Sequence, residues 1–490
     1  MSRPTTPVLL LGMAWIVACS KDVAAPRGTR TYPVPFRSDY TSKSYEFLRT
    51  YVGRRSLVQV GESIHVTDEF PRVRLHMVRY LHEELGFDVI AFEGSLVGSW
   101  LAQDFLYRSN DPLPAKATHA QELAWFGLWQ TEPMRLVMEY VAQTQTTGSP
   151  LYLASFDVQP GTSRIFGGSA EAALQALFDA VRRYSALQDD RAEGRWRDAL
   201  SPFLDCYRST SPKTSEERSR ALAAIGELER WIAEACPMVA LATSPVHASA
   251  LRRIPESLRG SVELCDESTR SGSAHAYQEV RDRISATHAM ALRDAVSREH
   301  RVILWAHHSH IQHNSTGKNV PSMGQHLLQL AGADLYTIGL FAGRGRAVEV
   351  SDDAFPPVVP RRIPPASRYG LESRLALTHA DDYFIDFSMM DPGRPDQAVW
   401  FSEVSSRMET RDMAYGVPAR DYHAAVFVQV VHPASLTMLP PAIAIALTAY
   451  GFMVDHLISV IAGVTILFGL IIRRRRRRRR VLGLRPAAQG

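Results

Sequence analysis

Short, nearly continuous apolar runs recur along the chain, and small or polar residues follow each of them at once. They are Leu57-Val58-Gln59-Val60, Val89-Ile90-Ala91-Phe92, Leu151-Tyr152-Leu153-Ala154, Val302-Ile303-Leu304-Trp305 and Leu335-Tyr336-Thr337-Ile338, with Tyr383-Phe384-Ile385 and Val426-Phe427-Val428-Gln429-Val430 later. Strands that lack polar alternation must be covered on both faces, which requires a sheet buried between helical layers. Helical periodicity lies between the runs. It is clearest from Asp68 to Leu85, with Phe70, Val73, Met77, Leu81 and Leu85 on one face, Thr67 or Asp68 as N-cap and Gly86 as terminator. The alternation predicts an α/β fold with a parallel or mixed central sheet flanked by helices.

From 161 to 272 the composition shifts to Ala, Arg, Glu and Leu at helical spacing, without a convincing strand. This segment is expected to be a mostly helical insertion, entered at Gly161, Gly167 and Gly168 and left at Ser271-Gly272-Ser273. The core is then split into 45–160 and 273–435. The proline-rich run from Val350 to Arg368 is expected to be a long surface loop.

Charge separates the body from its ends. The 490 residues carry 55 Lys+Arg against 51 Asp+Glu, a formal +4. Nine of the basic residues are Arg473 to Arg480 and Arg485, which leaves 46 basic against 51 acidic residues, or −5, up to residue 472. A basic nucleic-acid-binding body is therefore not indicated. The arginine block abuts Leu457 to Ile472, an uncharged stretch that reaches the length of a membrane helix when extended back to Tyr450. Residues 436–490 thus read as a C-terminal transmembrane anchor with a cytoplasmic arginine tail. At the other end, Arg3 precedes the apolar stretch Val8 to Val17, and 1–19 reads as a signal peptide. Ile16-Val17-Ala18-Cys19 resembles a lipobox, with an ordinary cleaved signal as the alternative; residues 20–44 read as a tether. These features place the body outside the cytoplasm, in the envelope of a bacterial cell. With Cys19 lipidated, Cys206, Cys236 and Cys265 are expected to form one pair and one free thiol.

Ionisable residues cluster just after the strands: Glu62 and His65, Glu93, Asp157 and Gln159, then His307 and His310. If the strands are parallel, these groups share one pocket beyond the strand ends. Gly61 is expected to allow a tight exit from the first strand. The positive end of the following helix is expected to keep His65 neutral, hence basic, with Arg74 one turn inside. His308 and His313 read as solvated bystanders. A metal site and metal-free acid/base chemistry are both compatible with these residue types. No G-x-S-x-G, P-loop or G-x-G-x-x-G is present.

In order along the chain, Gly61-Glu62-x-x-His65 with Glu69 and Arg74, Phe92-Glu93, Trp129 with Glu132, Phe156-Asp157-x-Gln159, Arg281-Asp282, Trp305-Ala306-His307-x-x-His310 and Ser322-Met323-Gly324 resemble the erythromycin esterase family, which also carries a succinoglycan-biosynthesis-like label. The resemblance runs from about Ser44 to Val431. It implies hydrolysis of a carboxylic ester or macrolactone without metal or other cofactor. It implies His65 as the general base, Glu62 and Glu93 as its orienting carboxylates, His307 and His310 as oxyanion stabilisers or proton donors, and Arg74 as a supporting cation. Asp157, Gln159, Arg281 and Asp282 are assigned to substrate binding. The resemblance implies a small ester or lactone as partner, while the terminal segments add the membrane and the charge balance argues against nucleic acid. His308 stands where the family pattern has Asn, and Ile64 where Thr is commoner. The alternatives are a metal-dependent hydrolase of peptides or envelope glycan decorations using the same groups, and a non-catalytic binding module.

Overall fold

The computed structural model describes residues 30–437 except 125–126, 161–169, 186–189, 205–211, 272, 295–299, 315–319, 351–357 and 410–411. The strands are β1 (Thr31–Pro33), β2 (Leu57–Glu62), β3 (Val89–Ser95), β4 (Tyr152–Asp157), β5 (Val302–His307), β6 (Leu335–Val350), β7 (Val358–Arg362), β8 (Tyr383–Asp386), β9 (Val404–Met408), β10 (Asp412–Gly416) and β11 (Ala424–Val431). Among the described residues the main sheet has nine strands, in the order β1-β8-β11-β6-β2-β5-β3-β4 with β7 paired to β6; β9 and β10 form a separate hairpin. Strands β4, β3, β5, β2, β6 and β11 are mutually parallel. Antiparallel β8 and β7 make the sheet mixed.

The helices are α1 (Phe47–Val52), α2 (Glu69–Leu85), α3 (Leu96–Arg108), α4 (Leu113–Ala124), α5 (Glu132–Thr144), α6 (Ala170–Arg182), α7 (Asp190–Leu200), α8 (Ser215–Ala242), α9 (Pro245–Ser271), α10 (Ala274–Arg293), α11 (His308–Ile311), α12 (Met323–Ala331), α13 (Leu371–Thr378) and α14 (Pro418–Asp421). One apolar layer joins α2, α4 and α5 to one face of the sheet through Phe70, Val73, Met77, Leu81 and Val137. A second covers the opposite face with residues of α10, α12 and α13, including Ala286, Leu327 and Leu375. Every residue of β2, β3 and β5 is buried, as two-sided cover demands. Helices α6 to α9 pack largely on one another and on α3, around Phe178, Trp196, Trp231 and Leu251.

Several sequence expectations change. Residues 31–36 are not a free tether: β1 pairs with β8, and Val34 and Phe36 bury themselves. The proline-rich run is partly strand, because β7 folds back on the long β6. Asp68 occupies the N-cap position of α2 but makes no capping bond; it pairs instead with Arg72. Gly86 does end α2, in the left-handed conformation at φ 71°. Gly61 lies inside β2, where a Cβ would sit 2.2 Å from Ile311 Cδ1. Its service is to let α11 approach the sheet, not to turn the chain. Cys236 is a buried free thiol and Cys265 is disulfide-bonded, while Cys19 and Cys206 lie outside the described residues. The N-terminal signal segment, the apolar stretch Leu457 to Ile472 and the arginine block also lie outside them. Among the described residues no helix is long and apolar enough to cross a membrane.

Candidate active site

Parallel pairing brings the polar residues after the strands to one edge of the sheet. Register sets Glu62 of β2 beside His307 of β5. Glu93 enters from β3 at a break in its register with β4, between Phe92 and Ser95. Such an irregularity re-aims a side chain that a regular strand would direct elsewhere.

Glu62 is 1% exposed and divides its two oxygens. Oε1 accepts from His65 Nδ1 at 2.7 Å, and Oε2 lies 3.2 Å from Arg74 Nη2. Arg74 is wholly buried over the face of Trp305, 4.4 Å from the ring centroid. Burial lowers its pKa to about 10 against the pull of Glu62 and Glu93, so it stays a cation near neutrality. Because Nδ1–H of His65 is spent on Glu62, Nε2 faces the site. Its ring packs edge-on to Trp129 and lies 4.6 Å from the ring of His307.

His307 has the opposite polarity. Its Nδ1 accepts the backbone N–H of Ser309 at 3.2 Å, as the N-cap of α11, so in the neutral ring the proton belongs on Nε2. That Nε2–H donates to the Ser63 carbonyl at 3.3 Å. The backbone N–H of His307 is held in turn by Glu93 Oε2 at 3.0 Å. When both rings are neutral, His65 thus presents a lone pair and His307 a proton.

Behind them is a layer of paired charges. His310 Nδ1 is 2.5 Å from Asp282 and its Nε2 is 3.1 Å from Glu93. Arg281 bridges Glu93, at 2.9 Å, and Asp157. Burial opposes a charge on His310, but Asp282 and Glu93 outweigh it and raise the pKa to about 10. Glu93 is held well below the usual carboxylate range: His310 and Arg281 overcome the cost of its burial. Asp157, Arg281 and Asp282 are therefore engaged with one another and with Glu93 and His310. Gln159 donates to Tyr277 at 2.6 Å.

Two expectations about histidines are corrected. His65 is not kept neutral by the nearby helix: burial disfavours its charge, but Glu409, Glu62 and Glu93 together raise its pKa to about 9. Nor are His308 and His313 solvated, being 1% and 5% exposed. His308 packs between Phe341 and Tyr422, and His313 bonds Thr337 Oγ1 at 2.7 Å. Burial lowers both, His308 well below the ordinary value and His313 to about 3, so they sit neutral behind the site.

Sequence reasoning missed Glu409. It follows β9 with φ 60°, its backbone N–H donates to Ser63 O at 2.7 Å, and its Oε1 lies 3.0 Å from His307 Nε2 and 3.7 Å from His65 Nε2. Despite desolvation, His65 and His307 lower its pKa to about 2. A glutamate after a short alternating strand carries no signal of such a destination; only the packing of the hairpin reveals it. His65, His307 and Glu409 each offer one ligand atom within 4.8 Å of the others, a set capable of holding a cation. The Ser309 hydrogen bond argues for a different use, because an Nε2 that carries hydrogen is a donor and not a ligand.

A mixed α/β core with two facing imidazoles at its strand ends, steadied by buried carboxylates, offers groups suited to hydrolysis. The erythromycin esterase family profile matches residues 82–431, and the chain belongs to that family. It is 25% identical over 366 residues to YbfO of Bacillus subtilis (strain 168), a protein that carries the name of a hydrolase, covering 71% of this chain and 78% of that one. Three solved structures share the fold. A Bacillus cereus protein has a TM-score of 0.65 at 14% identity, over 83% of this chain and 96% of its own. A succinoglycan biosynthesis protein has 0.64 at 13%, over 82% and 95%. An erythromycin esterase mutant, EreC in its open conformation, has 0.58 at 17%, over 84% and 99%.

Proposed function

We propose that this chain hydrolyses a carboxylic ester or lactone by activating water, with no metal in the chemical step. The observation that carries the reading is the opposed polarity of the two imidazoles: Glu62 takes the Nδ1–H of His65 and the Ser309 N–H occupies Nδ1 of His307. In its neutral form His65 Nε2 accepts a proton from water as oxygen attacks the ester carbonyl. The carbonyl π bond opens, and the oxyanion that forms receives the Nε2–H of His307. Collapse re-forms the carbonyl, breaks the bond to the alcohol oxygen, and returns the proton from His65 to the departing alkoxide. The products are a carboxylic acid and an alcohol. Arg74 and Glu62 hold His65; Arg281 and His310 hold Glu93, which fixes His307.

Assay of the purified full-length chain on a panel of carboxylic esters and lactones, beside His65→Ala, tests this. The wild-type chain is expected to turn over at least one member of the panel, with about a 10²- to 10⁴-fold loss in the variant. Turnover equal in the two proteins would sink the reading. Metal content after dialysis separates it from the metal-dependent alternative. The terminal segments support a further proposal, that the protein works outside the cytoplasm, tethered to a bacterial membrane.

A further inference from the structure

We propose that the Nε2 atoms of His65 and His307 form a carboxylate subsite, and that Glu409 fills it in the resting protein as a stand-in for the acid the reaction releases. The inference rests on the ester-hydrolase reading for the identity of that acid, though not for the binding chemistry.

A single oxygen, Oε1 of Glu409, faces both imidazoles, at 3.0 Å from His307 Nε2 and 3.7 Å from His65 Nε2. A water for His65 to deprotonate, and an ester oxygen for His307 to hold, both belong within about 3 Å of these nitrogens. The Glu409 carboxylate takes up that space. Its chemistry also matches: the acid formed by ester cleavage is R–COO⁻, the group at the end of a glutamate side chain.

The hold on Glu409 differs from the hold on its neighbours. Glu62 pairs with Arg74, and Glu93 with Arg281, so each is fixed by a guanidinium. Among the described residues the ion pairs of Glu409 are to the two imidazoles. Its Oε1 is buried 3.0 Å from His307 Nε2, a nitrogen that also lies 3.3 Å from the Ser63 carbonyl, so the carboxylate shares that proton. The side chain as a whole is 37% exposed, so rotation toward solvent can clear the subsite without unfolding the backbone. The backbone itself is held in the left-handed region at φ 60° by its bond to Ser63. A non-glycine residue kept there reflects structure that over-determines its position.

Butyrate is the probe, titrated by calorimetry at pH 7 into the full-length wild-type chain and into Glu409→Ala and Glu409→Gln, with circular dichroism as the check on folding. Removing the internal carboxylate is expected to tighten butyrate binding at least tenfold in Glu409→Ala. Glu409→Gln, which keeps the size and loses the charge, is expected to tighten it in the same direction and serves if the alanine variant does not fold. Equal butyrate affinity in the wild type and the folded variants overturns the proposal. So does stoichiometric Zn²⁺ uptake by the wild type that Glu409→Ala abolishes, because Glu409 would then be a ligand. Binding needs no turnover, so the two readings fail separately. Tighter butyrate binding without cleavage of any ester retains the subsite and removes the ester-hydrolase function, whereas ester cleavage without a gain in butyrate binding does the reverse.

Discussion

Glu62 and Arg74 form the most buried ion pair of the site, and its energetics are asymmetric. Removing one partner strands the other charge in a medium that cannot solvate it. Arg74→Met is therefore expected to lower stability by about 3–5 kcal/mol, and the double variant with Glu62→Gln to recover much of that loss, measured by urea unfolding. His65 makes the pH behaviour directional. Its folded pKa, about 9, lies above the ordinary histidine value, so the folded state holds a proton that the unfolded chain gives up first. That stabilisation is complete below about pH 6.5 and is lost as pH rises through about 9. His310, at about 10, acts in the same direction. Urea midpoints are expected to fall between pH 7 and 9.5, with a shallower slope in His65→Gln. For catalysis the sign reverses, because the base must be neutral: kcat/KM of the free enzyme is expected to rise with pH through the same pKa.

At the scale of elements, the site depends on how closely α11 can approach β2. Gly61→Ala puts a methyl 2.2 Å from Ile311 Cδ1, so either the isoleucine or the whole turn that carries His307 must shift. The expected cost is about 1–3 kcal/mol of stability, together with a fall in activity larger than the remaining folded fraction explains. Unfolding curves set beside single-turnover rates distinguish the two effects. The same elements show what was legible beforehand. Each apolar run became a strand because two-sided burial has one pattern in sequence, and α2 ended at Gly86 because a left-handed terminator favours glycine. The burial of His308 and His313 was not legible: an imidazole reads as polar until Phe341, Tyr422 and Thr337 are known to surround it. The break in β3 that aims Glu93 has no sequence signal either.

Across the whole molecule, the helices that follow the first half of the core supply part of the site's support. Helix α10 brings Arg281 and Asp282 against Glu93, Asp157 and His310, so residues more than 180 positions apart form one charge network. Arg281→Leu leaves Glu93 and Asp157 buried without their shared cation. About 3–5 kcal/mol of destabilisation is expected, with activity lost even below the unfolding transition; melting curves and initial rates would show it. The ends allow a separate test. In cell fractionation the full-length Cys19→Ser chain, which lacks the lipid site, is expected in the membrane pellet, and the same variant ending at residue 437 in a salt-extractable or soluble fraction. Equal partition of the two would remove the C-terminal anchor from the proposal.

Local chemistry by itself determined the α/β class, the strand positions and the clustering of Glu62, His65, Glu93, His307 and His310 after strands, because burial and turn formation leave periodic marks in a chain. Tertiary structure alone decided which of these groups face one another, which imidazole carries its proton on Nε2, and that Glu409 enters between them. Those properties depend on distances between segments hundreds of residues apart and on the fields of neighbouring charges, and neither quantity is written in any local stretch of sequence.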